Sequence, residues 1–187
     1  MLELAALEVP QRIGTTFIHD GAIDTIPLIV PEPDIIPERV FDTLEDYIYA
    51  LVDVLRNSPR IGSDTNSRAD ANTVLNRLVN ELPAIFLGLS RPMHRRCILS
   101  HDDLRETNVL VDEQGQVHGV IDWEYHSTKP MVLAARYPVW LRYDGIYDPR
   151  FAFEDWWWVT SADDAAKLRE LFSEVISPPL LGYHVVH

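Results

Sequence analysis

The stretch that decides the reading is Leu99-Ser100-His101-Asp102-Asp103-Leu104-Arg105-Glu106-Thr107-Asn108-Val109-Leu110-Val111-Asp112, followed by Val120-Ile121-Asp122-Trp123-Glu124. A His-x-Asp-x4-Asn loop opens into an apolar strand, Val109-Leu110-Val111. Asp112-Glu113-Gln114-Gly115 turns tightly, and Val117, Gly119, Val120 and Ile121 return antiparallel. The spacing places Asp103, Asn108 and Asp122 at neighbouring strand ends of one small hairpin. Three oxygen-bearing side chains so arranged are the layout of a magnesium-phosphate site.

Upstream, residues 1–9 read as the end of a helix. Residues 11–30 read as a β-hairpin that turns at His19-Asp20-Gly21, because Asp-Gly between β-rich runs favours a two-residue turn. Pro27 puts the second strand at an edge, and Pro31, Pro33 and Pro37 make 31–39 an extended linker. Leu44, Ile48, Leu51, Val52 and Leu55 recur at helical spacing and predict a helix over 43–57, with Asp42 and Glu45 as a capping box. Residues 58–66 read as a polar loop. A second helix is expected over 67–88, with Val74, Leu75, Leu78, Val79 and Leu82 on its apolar face and Pro83 bending or breaking it. Arg91–Arg96 is a basic turn, and Cys97-Ile98-Leu99-Ser100 a short buried strand.

Downstream, a polar segment after Trp123 leads to an apolar helix over Met131–Arg142 that Pro138 kinks. Phe151, Phe153 and Trp156–Trp158 form an aromatic patch, read as core packing or a wall of an acceptor pocket. Ser161 caps a last helix, Ala162–Ile176. The fold class is therefore α+β, mainly helical, with small β-hairpins.

The bulk numbers narrow the function. The chain has 187 residues and a net charge of -13, which argues against nucleic acid and anionic membranes as partners. The single cysteine, Cys97, excludes an internal disulfide and reads as a buried core thiol. No apolar run reaches the ~20 residues of a bilayer span, and the acid-bearing N-terminus reads as neither signal nor transit peptide, so the expected location is cytoplasmic.

The chemistry of the central stretch is that of phosphoryl transfer, which needs magnesium between phosphate oxygens and a carboxylate beside the acceptor hydroxyl. The same residues resemble the aminoglycoside phosphotransferase family, in its fungal-type branch, within the wider kinase-like fold. His101-x-Asp103-x4-Asn108 is similar to that family's catalytic loop, and Gly119-Val120-Ile121-Asp122-Trp123-Glu124 to its second metal-binding segment. The resemblance extends over roughly residues 10–175, taking in Ala135-Arg136-Tyr137-Pro138 and the early Arg12-Ile13-Gly14. It implies Asp103 as catalytic base, Asn108 and Asp122 as magnesium ligands, and His101 as a structural support of the loop. ATP and Mg2+ are the implied cofactors, and a small-molecule hydroxyl the implied acceptor. An acidic cleft would favour a cationic one. Arg105 is a candidate phosphate contact or a solvated loop arginine; Glu124 is a candidate metal ligand or a solvated acid. Asp102 stands where the family often has glycine.

Such enzymes also need a strand lysine on the α- and β-phosphates and a glycine-rich turn, both before the catalytic loop. Here no lysine precedes Lys129, and the eight glycines show no Gly-x-Gly spacing. Arginine is not equivalent at such a site. The expectation is a single C-terminal lobe over 1–187, with 1–39 as an N-terminal hairpin and linker region and the nucleotide lobe absent. The function expected from the resemblance is phosphoryl transfer to an alcohol. The alternative is a non-catalytic, pseudokinase-like remnant or a binding module.

Overall fold

The computed structural model describes residues 7–30, 36–58, 65–135 and 166–172. They divide between two compact units. One draws on Glu3–Asp102 and Trp123–Ala135, and is called the body below. The other includes Asp103–Asp122 and residues 166–172.

In the body, β1 (Thr15–His19) and β2 (Ala22–Ile26) form the expected hairpin, paired from Thr15↔Ile26 to His19↔Ala22. Its two-residue turn has Asp20 at φ 51° and Gly21 at φ 77°. Positive φ at both central positions matches the twist of the flanking strands, and Asp-Gly tolerates it at little cost. The strand before the hairpin is tied in from both sides. Ile13 and Phe41 exchange backbone hydrogen bonds at 2.7 and 3.1 Å, and Gly14 and Thr128 do so at 3.1 and 2.8 Å. Gly14 has no room for a side chain: a Cβ there would stand 2.3 Å from the Ile26 carbonyl oxygen. Gly14→Ala is expected to destabilise the protein by about 1–3 kcal/mol, because backbone must shift to admit the methyl group. A thermal melt checks this; an unchanged midpoint would refute the close approach.

Helix α1 (Leu44–Asn57) buries Leu44 and Val52, the face that its spacing predicts. Its cap differs from the sequence reading. Thr43, not Asp42, is the N-cap, and its hydroxyl accepts from the Asp46 N–H at 3.1 Å. Asp42 is occupied by Arg12 (Nε–Oδ1 2.7 Å). Glu45 does not close a capping box either; its carboxylate pairs with Arg95. That guanidinium holds the Glu45 carboxyl below its ordinary range. A carboxyl with a depressed folded pKa contributes stability that is complete above its ordinary value and is lost as pH falls through the folded one. The stability difference between the parent and Glu45→Gln is therefore expected to be largest near neutrality and to shrink below about pH 4.5. Paired urea titrations across that range read it directly.

Helix α2 (Thr65–Gly88) starts slightly earlier than the polar-loop reading allows and runs through Pro83 to Gly88. Proline removes one intrahelical hydrogen bond, a cost of ~3 kcal/mol. Leu82 and Phe86, on either side of it, are both buried with Leu44 in one cluster, and burial of each contributes about 1.5–3 kcal/mol. Tertiary packing therefore outweighs the local penalty. Leu75 and Leu82 are buried as expected, whereas Val74 and Leu78 are exposed, so the apolar face is narrower than its sequence suggests.

The basic turn is a short helix, α3 (Pro92–Arg95), with Pro92 at its first position. It leads into β3 (Cys97–His101). The partner of β3 is β6 (His126–Pro130), antiparallel from Cys97↔Pro130 to His101↔His126. This strand occupies the segment read from sequence as merely polar. Ser127 and Thr128 are fully buried in it, and α4 (Met131–Ala134) follows directly. Cys97 is buried with Ile13 and Phe41, and burial pushes its thiol up to about 11.

The other unit contains β4 (Val109–Val111) and β5 (Val117–Val120), the hairpin predicted from the central stretch. Residues 166–172 are helical, within the last helix expected. Residues 7–9 are not helical. The expected helix over residues 1–6, the linker at 31–35, the helix beyond Ala135 and the aromatic patch lie outside the described residues. Small antiparallel hairpins with helices bear out the α+β class. Among the described residues no helix is long and apolar enough to cross a membrane.

Candidate active site

The loop between β3 and β4 closes on itself. A 3-10 turn, Glu106–Asn108, presents Asn108 at the mouth of the hairpin. The Asn108 N–H donates to the Arg105 carbonyl at 3.0 Å. Its side-chain Nδ2 donates to the backbone carbonyl of Asp103 at 3.0 Å. Asn108 is buried. With its amide nitrogen committed to Asp103, its Oδ1 is the atom left to face a cation.

Asp122 is brought to the same end of the hairpin by strand pairing. Val109 faces Val120, and the Ile121 N–H donates to the Asn108 carbonyl at 2.9 Å. Asp122 then takes a left-handed conformation, φ 63°, and is exposed. Aspartate is among the few residues that enter this region readily, and it does so where a chain must turn sharply. An amide oxygen and a carboxylate are hard donors of the type and small number that magnesium takes from protein. The donor set therefore fits the ion.

Asp103, in the same unit, is half-buried, and its Oδ1 accepts from Arg105 Nε at 2.6 Å. The sequence left Arg105 open between a phosphate contact and a solvated residue. It lies on the Asp103 carboxylate and is itself 57% exposed, so it is free to leave. At the far tip, the ladder slips between Leu110 and Val111, so that His118 bulges out of register. His118 Nε2 reaches Asp112 Oδ2 at 2.9 Å. That contact, with the Gln116 and Gln114 N–H groups, holds the Asp112 carboxyl below the usual range. It secures the turn and takes no part in the site.

A comparison with protein-family models finds the phosphotransferase enzyme family (APH) over residues 39–133 of this chain. The chain is also 41% identical, over 186 residues, to a protein of Ampulloclitocybe clavipes called Clavilactone A biosynthesis cluster protein Y. The chain belongs to the phosphotransferase enzyme family. The alignment takes in 98% of this chain and 46% of that relative, so the chain spans about half the relative's length. No solved structure matches it.

For this phosphotransferase-family chain, the family match covers Asp103, Asn108 and Asp122. His101, the expected support of the loop, ends β3 in the body. Its ring meets Trp123 edge-on, with centroids 4.8 Å apart. Glu124 is exposed in the turn after Trp123. The reading from sequence missed a polar cluster within the body, around Asp102. Asp102 Oδ2 accepts from Ser127 Oγ at 2.6 Å, Asp102 Oδ1 accepts from Lys129 Nζ, and the Asp102 N–H donates to the Tyr125 carbonyl at 2.8 Å. The only signal was the aspartate standing where the family often has glycine. Its partners lie 25 and 27 residues away, on a strand with no apolar pattern.

Proposed function

We propose that this chain is the catalytic, C-terminal lobe of a kinase-like phosphotransferase that moves the terminal phosphoryl group of ATP to a hydroxyl of a small molecule. The observation that carries the reading is the closed loop: Asn108 holds the backbone of Asp103 while strand pairing sets Asp122 beside Asn108. Asp103 orients the acceptor hydroxyl and takes its proton as that oxygen bonds to phosphorus and the bond to ADP breaks. Asn108 Oδ1 and Asp122 hold magnesium, which when bound neutralises charge on the phosphate oxygens. Arg105 leaves Asp103 for the phosphoryl group as charge accumulates there, which also frees the base. The net charge of -13 favours a cationic acceptor.

The strand lysine and glycine-rich turn that such chemistry uses are supplied on this reading by a nucleotide lobe outside this sequence. A second reading, a non-catalytic binding module, is favoured by one observation: no lysine precedes Lys129. Titrating the full-length protein with Mg-ATP separates the two. Binding at 100 times Kd is expected to stabilise the native state by about 2.7 kcal/mol, and Asp122→Ala is expected to abolish the shift. A shift without transfer of labelled phosphate to any alcohol supports the binding module. Absence of a shift overturns the phosphotransferase reading of this protein.

A further inference from the structure

We infer that Lys129, acting through Asp102, is a positioning residue for the loop that carries Asp103; the inference rests on the phosphotransferase reading above. The chain leaves the body at Asp102 and returns to it at Trp123. These two points, the root of the loop, are joined within the body. His101 pairs with His126 at the end of the β3–β6 ladder, and the Asp102 N–H continues that ladder to the Tyr125 carbonyl. The side chain of Asp102 adds two further ties to β6, at Ser127 and Lys129.

The cluster is unlike a surface ion pair. The Lys129 and Asp102 side chains are 14% and 11% exposed, and Ser127 is fully buried. Both carboxylate oxygens of Asp102 are engaged, one by a cation and one by a hydroxyl. Charges withdrawn from water in this way cost free energy unless paired, so removal of one partner leaves the other uncompensated. The two bonds, one to each carboxylate oxygen, tie the Asp102 side chain to β6 at two points. Asp102 immediately precedes Asp103, so its fixed backbone restricts where the proton-accepting carboxylate begins. A reacting group displaced by about 1 Å can lose as much as 10²-fold in rate.

The test compares the parent with Lys129→Met, Lys129→Arg and Ser127→Ala in the full-length protein. Amide hydrogen exchange over residues 102–108 and 121–125 is followed by mass spectrometry. Lys129→Met is expected to raise exchange there while leaving α1 and α2 as protected as in the parent. Lys129→Arg, which keeps the charge, is expected to restore most of the protection, and Ser127→Ala to lose part of it. In Mg-ATP turnover, Lys129→Met is expected to lower kcat by about 10- to 100-fold with KM for ATP nearly unchanged. A merely structural pair would loosen the whole body and leave kcat per folded molecule intact. Parent-like exchange at the loop root in Lys129→Met overturns the inference, and so does general loosening. If Lys129→Met fails to fold, Ser127→Ala and Lys129→Arg give the same reading of the loop root. If the parent itself has no turnover, the phosphotransferase reading fails, and with it the positioning role, while the exchange data still report whether the cluster fixes the root.

Discussion

Asp103→Asn is expected to slow Mg-ATP-dependent phosphoryl transfer by about 10²–10⁴-fold, the usual contribution of a positioned general base. The fold should be unaffected, for a reason visible in the loop. Asn108 is bonded to the backbone carbonyl of Asp103, not to its carboxylate, so the closure survives the substitution. The carboxylate's partner is Arg105, and a pair whose guanidinium is 57% exposed contributes little to stability. The loss should therefore fall on kcat, with KM for ATP close to that of the parent. Steady-state kinetics beside a thermal melt make the measurement. A variant that melts like the parent and still transfers phosphate at the parent's rate would remove Asp103 from the role of base.

Phe41→Ala is expected to cost about 3–5 kcal/mol, the range for deleting a buried phenylalanine. Phe41 is 2% exposed and packs with Ile13 and Cys97. Tyr47 meets its ring edge-on at 5.4 Å, and the Arg39 guanidinium lies 4.4 Å from its centroid. Because Phe41 also exchanges backbone hydrogen bonds with Ile13, the cavity opens where the N-terminal strand, the start of α1 and β3 meet. The loss is a large share of the ~5–15 kcal/mol that holds a typical domain. Phe41→Leu, which refills most of the space, should recover much of it. Chemical denaturation of the three proteins checks the order, and equal midpoints for the alanine variant and the parent would exclude this cluster as a core.

Much of this was legible in residues whose local chemistry and tertiary role agree. Asp20-Gly21 turns a hairpin because each residue tolerates positive φ. Val109–Val111 and Val117–Val120 pair as their short apolar runs imply. Leu44 and Val52 face inward at helical spacing. The misreadings come from places where a long-range partner decides. Asp42 and Thr43 are both good caps, and the choice falls to Thr43 in a structure where Arg12 engages Asp42. Pro83 breaks helices in isolation, but here Leu82 and Phe86 are held in place by Leu44.

Strand β6 is the clearest case. Hydrophobic periodicity detects burial of apolar side chains, and β6 is buried through polar ones. Thr128 Oγ1 donates to the Arg12 carbonyl at 2.7 Å, and Ser127 Oγ to Asp102 at 2.6 Å. Small hydroxyl residues can be buried at little cost when each finds an acceptor, and those acceptors are far away in sequence. The residues of the candidate site were legible as types and spacing. The geometry that joins Asn108 to Asp103, and the body residues that fix Asp102, were not.

The joining of Gly14 to Thr128 sets an order for the birth of the molecule. Thr16 and Arg12 offer carbonyls to His126 and Thr128 across 110 and 116 residues of sequence. A ribosome adding roughly 5–20 residues per second needs on the order of 6–20 s to supply the second partner after the first. Throughout that interval Phe41 and β2 can already pair with this strand on one side, while its edge at Gly14 waits for Thr128. Contacts so far apart in sequence also slow folding in general, because a long loop must close before they form. The nascent chain therefore carries an unpaired strand edge at Gly14 until Thr128 has been made and has left the ribosome.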